Sequence, residues 1–213
     1  MSIQKLLDWI VNVGIQGFGV LPPAEKVAED HLSNCGNDCE KAIDSIISWR
    51  TTYAATTGFV TGLGGLAALP LSIPASFASS YALAANTSAA IAFLRGYDIQ
   101  SDQVRTFILL TLIGDSTTEI FKNAGINLGT KVTKSLISQV PGKVLIEINK
   151  KVGFRLITKA GEKGVINLMK LVPLAGGMVG AFFDGAFVNK CGNTAKNMFS
   201  KNDDNDNNII CVR

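Results

Sequence analysis

The sequence predicts an all-α fold: a compact helical bundle around a central, hydrophobic helical hairpin rich in glycine and alanine. Three observations predict it. Apolar residues recur at helical spacing through most segments, and no pair of segments alternates as paired strands would. Residues 51–94 contain no Asp, Glu, Lys, Arg or His, although Arg50 and Arg95 flank them. Charged residues are only 17% of the 213-residue chain, against about 25% in an ordinary soluble domain, so water is kept from an unusually long stretch. The length suits one domain. Residues 1–199 read as that domain, and residues 200–213, opening SKNDDNDNN, as a polar, flexible tail.

Each element follows in order. Ile3, Leu6, Leu7, Ile10 and Val13 share one face, with Gln4, Lys5, Asp8 and Asn12 opposite, giving an amphipathic helix that ends near Gly17 or Gly19. Pro23 suits the first position of a second helix, residues 24–33. The NCGND segment breaks it, and Asp38 or a neighbour opens a third, with acids in the first turn where the helix dipole favours them. The charge-free run then forms the hairpin. Gly58, Gly62, Gly64 and Gly65 loosen the end of its first arm, Pro70 and Pro74 bracket the turn, and Pro74 starts the second arm. Small residues four apart (Gly58 and Gly62, Ala78 and Ala82, Ala84 and Ser88) allow close backbone approach.

Gly96 and Tyr97 end that arm, and Ser101 caps the next helix by accepting from its first amides. That helix is expected to run from Asp102 to Gly125. A lysine-edged helix over 128–140 stops at Pro141, and residues 143–170 place lysines among apolar residues at helical spacing. A second glycine-rich stretch follows, with Gly176 and Gly180 four apart and Asp184 interrupting it; a last helical segment covers 193–199.

Two environments would keep the hairpin dry: a bilayer or a protein core. Its length allows two spans of about 20 residues. Its many hydroxyls and Asn86 would each need a partner in hydrocarbon.

Charge is unevenly distributed. Residues 1–121 carry net −5, residues 122–170 net +8, and residues 171–213 net zero. The basic block includes Lys131, Lys134, Lys143, Lys150, Lys151, Arg155, Lys159 and Lys163. Such a block suits anionic lipid headgroups, at about 1 kcal/mol per basic residue near the surface; its plain alternative is a solvated face. Phe154 is its only aromatic residue, which leaves no stacking platform and argues against nucleic acid as a partner.

The four cysteines are Cys35, Cys39, Cys191 and Cys211, and no secretory signal precedes the first helix. This favours a reducing, cytoplasmic setting. His31, Cys35 and Cys39, at i, i+4 and i+8, would align on one helix face, but a zinc site needs a fourth ligand and the chain has no other histidine. No metal and no cofactor is assigned.

Motifs for a nucleophile elbow, a Walker loop or a dinucleotide fingerprint are absent. The weak catalytic candidates are three carboxylates in apolar surroundings. Asp115 and Glu119 are one turn apart, and Asp184 lies in the second glycine-rich stretch. Together they would suit a hard cation or an acid–base pair. The plainer reading is ion pairing with Arg95, Arg105 or Lys170.

Two blocks resemble the EcsC protein family. In residues 42–114 the order is Trp49-Arg50, the glycine motif from Gly58 to Gly65, Leu69-Pro70 with Ile73-Pro74, then a small-residue helix ending in Gly96-Tyr97-Asp98. In residues 171–199 it is Pro173 with Gly176, a glycine-rich helix, Asp184, then Gly192, Ala195 and Phe199. The resemblance implies a bacterial protein with membrane association and no established catalytic mechanism.

The functional expectation is a non-enzymatic protein at the cytoplasmic face of the inner membrane, peripheral or partly inserted. It would contact or enter anionic lipid through the hairpin, perturb the membrane in a sharper version, and admit a membrane-protein partner. The competing expectations are a soluble helical module that binds a lipid or other apolar ligand, and a carboxylate- or metal-dependent hydrolase. The sequence leaves the oligomeric state open.

Overall fold

The computed structural model describes residues 3–57, 75–114, 117–123, 133–168 and 175–199. These form nine helices: α1 (Ile3–Gln16), α2 (Ala24–Asn34), α3 (Cys39–Thr57), α4 (Ala75–Leu94), α5 (Asp102–Thr111), α6 (Thr117–Asn123), α7 (Lys134–Ser138), α8 (Gly142–Leu168) and α9 (Ala175–Met198). No strand occurs among the described residues. The expected all-α bundle is what the chain forms.

Helix α4 is its axis. From Ser79 to Leu94 every residue but Phe93 is buried, because α1, α2, α3, α5 and α9 pack around it. A helix surrounded on all sides cannot be amphipathic, so it carries no charge and little periodicity. Its alanines (Ala82, Ala84, Ala85, Ala89, Ala90 and Ala92) keep it thin enough for five neighbours. Gly14 of α1 completes one close contact: a Cβ there would sit 2.7 Å from the Ala85 Cβ.

Over residues 79–94 the Ser and Thr hydroxyls and the Asn86 amide of α4 have hydrogen-bond partners. Thr87 donates to the Leu83 carbonyl at 2.9 Å, Ser88 pairs with Thr111 at 2.8 Å, and Ser80 donates to Asp184 at 3.0 Å. An unmatched buried hydroxyl would cost about 1–3 kcal/mol. Over residues 79–94, then, neighbouring helices exclude the water. The first arm of the expected hairpin is the end of α3, which packs beside α4. Its turn, with Gly58, Gly62, Gly64, Gly65, Pro70 and Pro74, lies outside the described residues.

Several expected boundaries hold. Ser101 accepts from the Val104 amide at 3.3 Å, as a cap should. Helix α4 ends with Tyr97 N donating to the Ala92 carbonyl and Gly96 N to the Phe93 carbonyl, the paired bonds of a Schellman stop. Pro23, expected as the first helical residue, stands one position earlier, at the N-cap, where its carbonyl accepts from Val27 N at 3.1 Å.

Other boundaries differ. The helix expected from Asp102 to Gly125 is two helices. Its last turn tightens at Leu112 and Ile113, Gly114 takes a left-handed φ of 57°, and Thr117 Oγ1 donates back to the carbonyls of Gly114 and Leu110. The apolar run from Phe107 ends at Ile113, and Gly114 directly after it marks the break. Among described residues, the lysine-edged helix expected over 128–140 is only the short α7, capped by Thr133. The alignment of His31, Cys35 and Cys39 on one helix is also corrected. Gly36 and Asn37 both adopt left-handed φ (65° and 64°), so α2 stops before Cys35 and α3 starts at Cys39.

Helix α8 is an outer element, packed mainly on α1 and α5, with α6 beside it. It presents Leu145, Ile148, Val152 and Leu156 inward, at i, i+3, i+7 and i+11.

Candidate functional site

Among the described residues the most deeply buried charge is Arg50, on α3 and 1% exposed. Its Nη2 donates to Asn86 Oδ1 on α4 at 2.6 Å, and the guanidinium lies 4.7 Å from the Trp49 ring centre. Asn86 donates in turn to the carbonyls of Gly14 (2.8 Å) and Pro22 (3.0 Å). One amide thus ties α1, the link to α2, α3 and α4 together. Arg50 Nε meets no acceptor. Burial pulls the Arg50 pKa down to about 10, Tyr53 partly opposing it, so the side chain stays charged at neutral pH. The sequence showed Arg50 as the edge of a charge-free run and as half of the Trp49-Arg50 pair; its partner is 36 residues away and no local signal joins them.

His31 Nδ1 lies 2.9 Å from Ser45 Oγ, and the ring meets Trp49 edge-on. Burial, then Arg50, hold its pKa below the usual histidine value, with Asp30 opposing. Cys39 Sγ sits 3.5 Å from the Leu94 carbonyl and is buried. Among the described residues no group of three or more His, Cys, Asp or Glu side chains could hold a metal.

The two described catalytic candidates, Glu119 and Asp184, have separate surroundings. Asp115 lies outside the described residues. Glu119 is 62% exposed and pairs with Arg155 of α8 at 2.6 Å. Asp184, on α9, accepts from Ser80. Gly176 and Gly180 fall in the first turns of α9.

The expected basic residues divide by what they touch. Lys131 lies outside the described residues, and Lys159 and Lys163 belong to the second half of α8. Lys134 sits 5.4 Å from the Tyr97 ring centre, and Arg155 is held by Glu119. Lys143 and Lys150 are exposed and Lys151 half-buried. None of these three makes an ion pair with a described residue. On α2 and α3 the pattern is the opposite: Lys26 pairs with Asp30, Lys41 with Asp38, and Lys196 of α9 reaches Asp44 and Glu40. Glu40 also binds Arg95 at 2.5 Å.

The solvent side of α8 is unusual in its apolar residues. Ile146 is 56% exposed, Phe154 67% and Ile157 41%. At i, i+8 and i+11 they share one side, since eleven residues make about three turns. Ile3 of α1, 38% exposed, leans over Gly153 of the same helix. Lys143 and Lys150 fall on this side too. Periodicity could not reveal the stripe, because α8 carries apolar residues on both its inner and its outer side.

A cleft of about 310 Å³ opens where α1, α5 and α8 meet. Leu7, Val11, Leu109 and Leu145 line it, with Asp8 and Arg105 among its polar residues.

The model of the EcsC protein family matches residues 25–201, most of the chain. The chain belongs to the EcsC protein family. No curated protein and no solved structure matches it. The part of the bundle that matches the EcsC family holds the Arg50–Asn86 pair, all of α4 and the outer helix α8. Helix α1 precedes it, yet supplies the Gly14 carbonyl and core residues Leu6, Leu7 and Ile10. Among the described residues, no helix is long and apolar enough to cross a membrane.

Proposed function

We propose that this EcsC-family chain is a non-catalytic helical protein that associates with anionic membrane surfaces. The observation that carries the reading is the separation of charge by pairing. Lys26, Lys41 and Lys196, on α2, α3 and α9, pair with nearby carboxylates, whereas Lys143, Lys150 and Lys151 on the outer helix α8 make no ion pair with a described residue. Near an anionic leaflet each free lysine contributes about 1 kcal/mol, attenuated over a Debye length of about 8 Å at physiological salt. Of the charge-free stretch, residues 79–94 serve as core and residues 51–55 belong to α3, so contact with lipid falls to the outer elements.

Co-sedimentation of the full chain with vesicles tests it. Phosphatidylglycerol-containing vesicles should bind the protein, pure phosphatidylcholine vesicles much less, and salt should weaken the binding. The double variant Lys143→Glu/Lys150→Glu should bind at least about tenfold more weakly, the equivalent of about 1.4 kcal/mol. Equal binding to both vesicle types would remove the reading. A second reading, a soluble module for an apolar ligand, draws on the cleft between α1, α5 and α8, whose volume is at the small end for a ligand site. Lipid co-purifying with the protein and lost in Val11→Trp would favour it.

A further inference from the structure

Seven large apolar side chains are exposed among the described residues, and three of them lie on α8: Phe154 and Ile157 on its outer side, and Ile146 at the edge of that side, where it also borders the cleft with α1 and α5. Ile3 adds a fourth at Gly153. The other three lack this setting. Phe18 and Val20 belong to the turn closed by paired bonds between Phe18 and Leu21, and Trp49 stacks on Tyr53. The inner side of α8 already supplies its packing, through Leu145, Ile148, Val152 and Leu156. The outer stripe is therefore surplus to the fold.

Charge selects the occupant. A second copy seated on the stripe would bring Lys143 and Lys150 against their own equivalents, and like charges repel. An anionic bilayer complements them and also offers an apolar layer just beneath its headgroups. A helix with apolar residues on one side and lysines along it lies in the interface plane, with the lysine stems reaching toward the phosphates.

The geometry points to α8 as a shallow membrane anchor: Ile146, Phe154 and Ile157 enter the acyl-chain boundary while Lys143 and Lys150 meet the headgroups. This rests on the membrane reading above and adds which element and which side chains penetrate. It also fixes the orientation of the molecule. Helix α8 faces the bilayer, and α4 stays inside the bundle.

The test uses the full chain and two variants, on vesicles of phosphatidylcholine with phosphatidylglycerol whose acyl chains are brominated or not. In Phe154→Trp, bromine should quench the emission beyond the level seen for Trp9 and Trp49 in the parent. The double variant Phe154→Ser/Ile157→Ser should partition at least about tenfold more weakly, with an unchanged melting curve because both side chains are exposed. If the parent binds, the added tryptophan is not quenched and the double variant binds as tightly as the parent, α8 is not the anchor, though the membrane reading stands. Absence of parent binding would overturn both. A parent that sediments as a dimer without vesicles, and becomes monomeric in the double variant, would show the stripe covered by a second copy and overturn the anchor.

Discussion

Asn86 does the work of several residues. It accepts from a buried guanidinium and donates to two carbonyls from different elements. Removing the acceptor of a buried, hydrogen-bonded charge costs about 1.5–3 kcal/mol. Asn86→Leu should therefore lower the unfolding free energy by about that amount in a urea titration; a loss under about 1 kcal/mol would show that Arg50 finds another acceptor. His31 gives a separate prediction in pH. Its pKa is lowered by folding, so below the unfolded value near 6.5 the unfolded chain binds the proton more readily. Stability should fall as pH drops through 6.5 and level off once pH is below the folded pKa. As the chain's single histidine, it can be followed by proton NMR. A midpoint at or above 6.5 would contradict its semi-buried setting beside Arg50, and His31→Gln should flatten this part of the pH profile.

Close approach at small residues sets how the helices pack. A Cβ at Gly185 of α9 would lie 3.0 Å from the Ala55 Cβ and 3.2 Å from the Thr51 carbonyl oxygen of α3. Gly185→Val should thus force α3 and α9 apart, at about 1–3 kcal/mol, visible as a lower melting temperature. The exposed ion pair between Lys196 and Asp44 crosses the same two helices but should matter far less, about 1 kcal/mol or below for Lys196→Ala. Were the charge variant the more damaging, packing would not be what joins these helices. The sequence revealed most elements where local chemistry is decisive: the Ser101 cap, the Gly96 stop and the long helix over 143–170. It failed where two local signals conflict. The apolar run stops at Ile113 and Gly114 follows it, yet the segment up to Gly125 reads as one helix. At Cys35–Asp38 the spacing suggested one helix face while the NCGND composition already marked a turn.

At the level of the molecule, the charge-free stretch posed a choice between lipid and protein as the agent that excludes water. Residues 79–94 are enclosed by helices. That enclosure depends on which neighbours surround α4, which no single segment encodes. The basic block was legible as charge, but its division into the paired Arg155 and the unpaired Lys143, Lys150 and Lys151 required knowing where Glu119 and the other described carboxylates lie. The apolar stripe of α8 was hidden for the same reason, since only the packed bundle distinguishes its two sides. Hydrogen exchange of the full chain, with and without phosphatidylglycerol-containing vesicles, tests these points together. Amides across 79–94 should exchange slowly in both conditions, and amides across 142–158 should gain protection on the vesicles. Rapid exchange of 79–94 in buffer, or vesicle-induced change there with none in α8, would contradict the account.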